Sequence, residues 1–176
     1  MKSDIIHIDN QGVGFEEALT ETTRVAEFAE LDEMEMIRLR ICAEEMLSLA
    51  RSVTGELKAD FWLEAKGKSF DLHMTTQTVM DKEKRAQLIS SASSRKNEAA
   101  NSFLGKLRDK FEEAMTAESD RDGSDLPSNV MMDVSGYQFE NGEWDRYEQS
   151  ILKKLADNIK IAIRGGNVDM TVTKRF

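Results

Sequence analysis

The chain has 176 residues, enough for one domain whose core needs no disulfide or metal staple. Apolar residues make up 40% and charged residues 32%, the balance of a globular protein with a heavily solvated surface. A formal charge of −9 argues against coating nucleic acid or sitting on an anionic membrane, since both rest on Lys and Arg neutralising phosphates.

Cys42 is the single cysteine, so no disulfide framework exists and an oxidising compartment is unsupported. The segment from Met1 to Asp9 holds no apolar run long enough for a signal peptide. Nothing approaches the about 20 apolar residues of a bilayer span. The expected location is cytoplasmic.

Ile5, Ile6 and Ile8 predict a short strand over 4–9, broken at Gln11-Gly12-Val13-Gly14. From Phe15 the period turns helical, with Leu19, Thr22, Ala26 and Ala29 following to about Glu30. Asp32 and Glu35 have the spacing of a capping box that opens the longest helix. Met36, Leu39, Ala43, Met46, Ala50 and Val53 form its apolar stripe, and Thr54-Gly55 ends it.

A hairpin follows. Leu57, Ala59, Phe61 and Leu63 alternate on one strand and Phe70, Leu72 and Met74 on the other, across Lys66-Gly67-Lys68. The opposite face, with Asp60, Glu64, Asp71 and His73, is expected to be wet. Residues 81–90 read as a helix starting at Asp81, and Ser90-Ser91-Ala92-Ser93-Ser94 as a flexible connection. Another helix starts near Asn97 or Ser102 and carries Phe103, Leu107, Phe111 and Met115.

Residues 118–129 read as a loop, and 130–139 as an irregular piece or short strand. A helix from about Trp144 to Asp157 precedes a second hairpin, with Ile159, Ile161 and Ile163 facing Val168, Met170 and Val172 across Gly165-Gly166. The order predicts a single α+β domain over 1–176, a two-layer sandwich with helices packed on one face of a mostly antiparallel sheet.

That order, together with Ile41-Cys42-Ala43-Glu44-Glu45-Met46-Leu47-Ser48 on the long helix, resembles the GHKL (histidine kinase/Hsp90-like) ATPase superfamily, nearest to its anti-sigma-factor serine kinases. The resemblance implies a Glu that acts as base or water-positioning group and, one turn on, an Asn that holds Mg²⁺. Glu44 matches the first, and Ser48 stands in place of the second. Residues i and i+4 lie one above the other, so both side chains can address one phosphate cluster. They share a face with Ile37 and Ile41, which must meet something. Read without the resemblance, Glu44 and Glu45 are solvated charges on an amphipathic helix.

The family's Asp-x-Gly-x-Gly box, which reads the adenine amino group, is missing. Met74-Thr75-Thr76-Gln77-Thr78-Val79-Met80 stands there, leaving Thr75, Thr76 and Thr78 as candidate base contacts. The family's phosphate-binding lid corresponds to Ser94 to Leu107, where Lys96, Asn97, Gly105 and Lys106 are the candidate contacts. An ordinary helix start with a loose leader is the plainer reading of that segment.

The resemblance therefore implies a regulatory protein that binds ATP with Mg²⁺ and acts on a protein partner. The alternative is a pseudo-ATPase that keeps the fold as an interaction module. Serine kinase activity demands everything the first needs and intact metal geometry besides. A homodimer fits the resemblance, since the small kinases of this type pair through their N-terminal parts. Two histidines and Cys42 do not make a zinc site by themselves. The Asp120–Asp125 run lacks a calcium loop's closing Glu, with Met131 in its place.

Overall fold

The computed structural model describes residues 1–9, 11–54, 58–100, 109–110, 112 and 151–176. The elements run β1 (Ile6–Ile8), α1 (Phe15–Phe28), α2 (Glu33–Thr54), β2 (Ala59–Lys66), β3 (Ser69–Gln77), α3 (Lys82–Ser91), a 3-10 turn (Glu98–Ala100), β4 (Asn158–Arg164) and β5 (Asn167–Arg175). The described strands form one five-stranded sheet in the order β1-β2-β3-β5-β4, antiparallel at every pairing. This is the expected α+β sandwich.

Alternation builds the sheet. Phe61, Leu63, Phe70, Leu72, Met74, Ile161, Val168, Met170 and Val172 are all buried and share one face. The pairing of β3 with β5 sets Leu72 against Val172 and Met74 against Met170, joining the two hairpins into one apolar surface. Gly165 turns the second hairpin at φ +59, a left-handed conformation that glycine adopts without penalty.

Helices α1 and α2 cover that surface. The capping box forms as its spacing requires: Glu35 N donates to Asp32 Oδ1 at 2.8 Å and Asp32 N donates to Glu35 Oε2 at 3.0 Å. Lys68 Nζ also donates to Glu35, holding its carboxyl below the usual carboxylate range. The apolar stripe of α2 is wider than its spacing suggested. Cys42, Leu47 and Leu49 are buried with Leu39, Ala43, Met46, Ala50 and Val53. Burial pushes the Cys42 thiol up to about 11, so it is a packed side chain, not a reactive one.

The serine stretch differs from expectation. Helix α3, capped by Asp81 Oδ1 accepting from Lys84 N, runs through Ser91, and both Ser91 and Ala92 are buried. Ser93 then docks on the sheet edge, its N donating to Ile159 O at 2.9 Å and its Oγ accepting from Ile159 N at 2.8 Å. Four residues on, Asn97 does the same for Ile163, donating Nδ2 to its carbonyl and accepting from its N. The N–H and C=O groups of Ile159 and Ile163 on this edge of β4 are thereby satisfied by this strap.

The expected helix near Asn97 begins as the 3-10 turn; residues 109, 110 and 112 are helical. Of the expected helix from Trp144, the described part is 151–155, ending before Ala156. The expected loop at 118–129 and short strand at 130–139 lie outside the described residues. Among the described residues, no helix is long and apolar enough to cross a membrane.

Candidate functional site

A groove opens at the end of the sheet where β3 leaves it. His7, Asp9, Asp60, Thr78, Arg164 and Asp169 are among its lining residues, and so are Thr75 and Thr76. Its walls are held from two sides. Thr78 N donates to Gly166 O at 2.8 Å, so the segment after β3 is tied to the turn of the second hairpin. A Cβ on Gly166 would stand 2.6 Å from the Thr78 carbonyl oxygen, which only glycine's missing side chain permits. On the other side, Asp9 Oδ1 accepts from Gln11 N and Val13 N and shapes the turn into α1.

The polar side chains of the groove are largely self-paired. His7 Nδ1 lies 2.5 Å from Asp60 Oδ1, and Arg164 Nη1 lies 3.2 Å from Asp169 Oδ2. Thr76 Oγ1 donates to Lys58 O at 2.8 Å, so its hydroxyl proton is already committed. The hydroxyls of Thr75 and Thr78 make no hydrogen bond to a described residue.

The sheet divides the candidate base contacts. Thr76 follows Met74 onto the buried face, whereas Thr75 sits on the open face, in register with Asp60 and Asp169 and next but one to His7. Helix α2 packs on the buried face. Thr75 and the Glu44/Ser48 pair are therefore on opposite sides of the sheet. Period-two alternation from Met74 carries this information in the sequence, and the threonines read as one cluster only when that alternation is ignored.

Glu44 is exposed and Ser48 half-buried, one turn apart on the side of α2 turned from the core. Neither has a hydrogen bond or ion pair to a described residue. Ile37, on the same side, is 45% exposed, and Ile41 is half-buried. Neither Glu44 nor Ser48 lines the groove.

Lys96 is exposed beside Arg95, whose φ is +52. Asn97 is buried, and its amide is used by Ile163, by Ala99 N and by Asp109. It fastens the strap. Gly105 and Lys106 lie outside the described residues.

Sequence reading missed the group that holds Asn97 in place. Arg85, on the buried side of α3, donates to Asp109 Oδ1, which also accepts from Asn97 Nδ2. The Arg85 side chain is 7% exposed. Its place three residues before Leu88, on that helix's apolar face, was the available signal.

On the open face, Trp62 and His73 stack at 5.0 Å with an interplanar angle of 11°, and Lys2 Nζ lies 5.3 Å from the Trp62 ring. His73 Nδ1 meets Thr171 Oγ1 at 3.2 Å. Partial burial under the indole pushes the His73 imidazolium down from its ordinary value, against the pull of Glu64 and Asp71. A base with a depressed folded value favours the neutral native state. Its contribution is complete above the unfolded value, near 6.5, and is lost as pH falls through the lower folded value. Urea unfolding between pH 7 and pH 5 is expected to lose stability less steeply in His73→Gln than in the native chain; parallel slopes would assign the loss to other groups.

Among the described residues, no cluster of His, Cys, Asp and Glu could hold a metal ion by itself. Compared with known proteins, the chain matches no family model and no curated protein.

Proposed function

We propose that the chain is a nucleotide-binding regulatory protein on a GHKL-type frame, with ATP and Mg²⁺ addressed from the outer side of α2. The observation that carries this reading is the Glu44/Ser48 pair, two polar side chains one turn apart with no hydrogen bond or ion pair to a described residue. A carboxylate and a hydroxyl are both hard oxygen donors, the kind that suits Mg²⁺ beside phosphate. Magnesium would neutralise phosphate charge there; Glu44 would orient water, and Ser48 would supply an oxygen. Of the candidate base contacts, Thr76 is on the sheet face that α2 covers, Thr75 is on the open face, and Thr78 lines the groove beyond β3. The regulatory role implies a protein partner, and the acidic charge disfavours nucleic acid.

The second reading is an interaction module without nucleotide. It is supported by two candidate contacts with structural duties, Asn97 on β4 and Thr76 on Lys58. The absence of glycine between Met74 and Met80 supports it as well, because a close backbone approach to a base is harder there.

Isothermal titration with ATP and ADP, with and without Mg²⁺, decides between them. The first reading expects Mg²⁺-dependent binding that weakens about ten-fold in Ser48→Ala, roughly 1.4 kcal/mol. It expects Glu44→Ala to spare affinity more than turnover. No heat up to millimolar nucleotide from a folded sample would leave the interaction module.

A further inference from the structure

The α1–α2 hairpin ends in a surface that the fold does not use. Phe28 closes α1 at 73% exposure, and Met34 and Ile37 open α2 at 59% and 45%. Leu31, between them, is buried and anchors the turn. Glu30 adopts φ +55, and Leu31 N donates to Ala26 O, so the chain reverses within a few residues and the two helices run back against each other. Their outer sides thus meet at the tip, where the three large apolar side chains stand in water. Isolated exposed apolar residues need no explanation, but three at one end of a helix pair are a patch.

The charges nearest the turn are mostly acidic, with Arg38 next to Ile37 the exception among the exposed unpaired groups there. Glu27, Glu30 and Glu33 are exposed and have no ion-pair partner among the described residues. Nearby acids are engaged: Glu21 with Arg24, and Glu35 with Lys68. Arg38 and Arg40 are exposed further along α2, so the acidic field is strongest at the tip and fades towards the helix middle. Like charges held around an apolar patch raise the cost of the unbound state and favour a ligand of opposite sign.

We infer that the tip docks a protein segment that presents apolar side chains between lysines or arginines, its basic flank over Glu27, Glu30 and Glu33. Phe28 and Ile37 are the anchors, being the aromatic and β-branched groups with area to lose. Ile37 lies on the same side of α2 as Glu44 and Ser48, two turns nearer the helix start than Glu44, and peptide binding is measured without nucleotide, so its failure and the failure of the nucleotide reading are separate results.

Two synthetic amphipathic helical peptides with the same leucine face, one with lysine and one with glutamate on its polar face, test this by fluorescence anisotropy against the full chain. The lysine peptide is expected to bind at least ten-fold more tightly. The double variant Phe28→Ser, Ile37→Ser should weaken it about ten-fold while melting like the native chain. A protein of charge −9 attracts any basic peptide, so location is tested separately. Changing Glu27, Glu30 and Glu33 to Gln should weaken binding several-fold, and changing Glu16, Glu17 and Glu83 to Gln should leave it within two-fold. Equal weakening by the two triple variants, an unaffected double variant, or no preference between peptides would overturn the inference. So would a concentration-dependent dimer in sedimentation that the double variant abolishes, because the occupant would then be a second copy.

Discussion

Replacing Asp109 with alanine is expected to lower the unfolding free energy by about 3–5 kcal/mol, the range for removing one partner of a buried ion pair. Arg85 is nearly enclosed, and among the described residues its side chain is paired with the Asp109 carboxylate alone. Truncation leaves a guanidinium charge inside the protein with nothing opposite it. It also frees Asn97 Nδ2, the group that lies between this pair and the edge of β4. Two structural links therefore fail together.

Equilibrium urea unfolding measures the loss. The double change Arg85→Met, Asp109→Leu should recover most of it, because a matched apolar pair removes the uncompensated charge. A loss below about 1 kcal/mol in Asp109→Ala, the scale of an exposed pair, would mean that water reaches Arg85 and that the pair does not hold the strap.

Gly14→Ala is the second large effect, expected at about 3 kcal/mol or more. The residue precedes α1 at φ +84, where an L side chain costs roughly 1–2 kcal/mol. The added Cβ would also stand 2.1 Å from the His7 carbonyl oxygen, backbone that belongs to β1 and cannot rotate away. Either α1 or β1 has to move. Gly12 separates the two causes, because its φ is +85 and nothing lies within 4 Å of its Cβ position. Gly12→Ala should cost about 1 kcal/mol by conformation alone. Equal urea midpoints for the two variants would remove the collision from the account. A larger loss at Gly14 would show that the approach of α1 to β1 needs a residue without a side chain.

Both predictions concern contacts that local patterns do not announce. Gly12 and Gly14 look alike in the sequence as parts of one break, yet only Gly14 has a strand behind it. Arg85 stands on the Leu88 side of its helix, which signals burial, but its partner is fixed only when the chain returns to put Asp109 beside it. Ser93 and Asn97 have the composition of a flexible leader, and they become an edge cap because β4, more than sixty residues later, offers unpaired N–H and C=O groups at their spacing. The candidate site divides in the same way. Glu44 and Ser48 were legible as a pair because i and i+4 spacing is a property of one helix. Whether the threonines belong with them depended on which face of the sheet α2 covers.

What this sequence determined by itself is the set of elements whose cause is local. The period-two runs made both hairpins, glycine made the turn at Gly165, and the Asp32/Glu35 box started α2 where the spacing placed it. These need only neighbouring residues and the burial of one face. The tertiary structure alone decided that β3 pairs with β5, that α2 leaves Glu44 and Ser48 on its outer side, and that Arg85, Asp109 and Asn97 form one polar group. Those outcomes come from burying both hairpins' apolar faces under the same helices, and the free energy of that burial belongs to pairs of segments, not to any window of the chain.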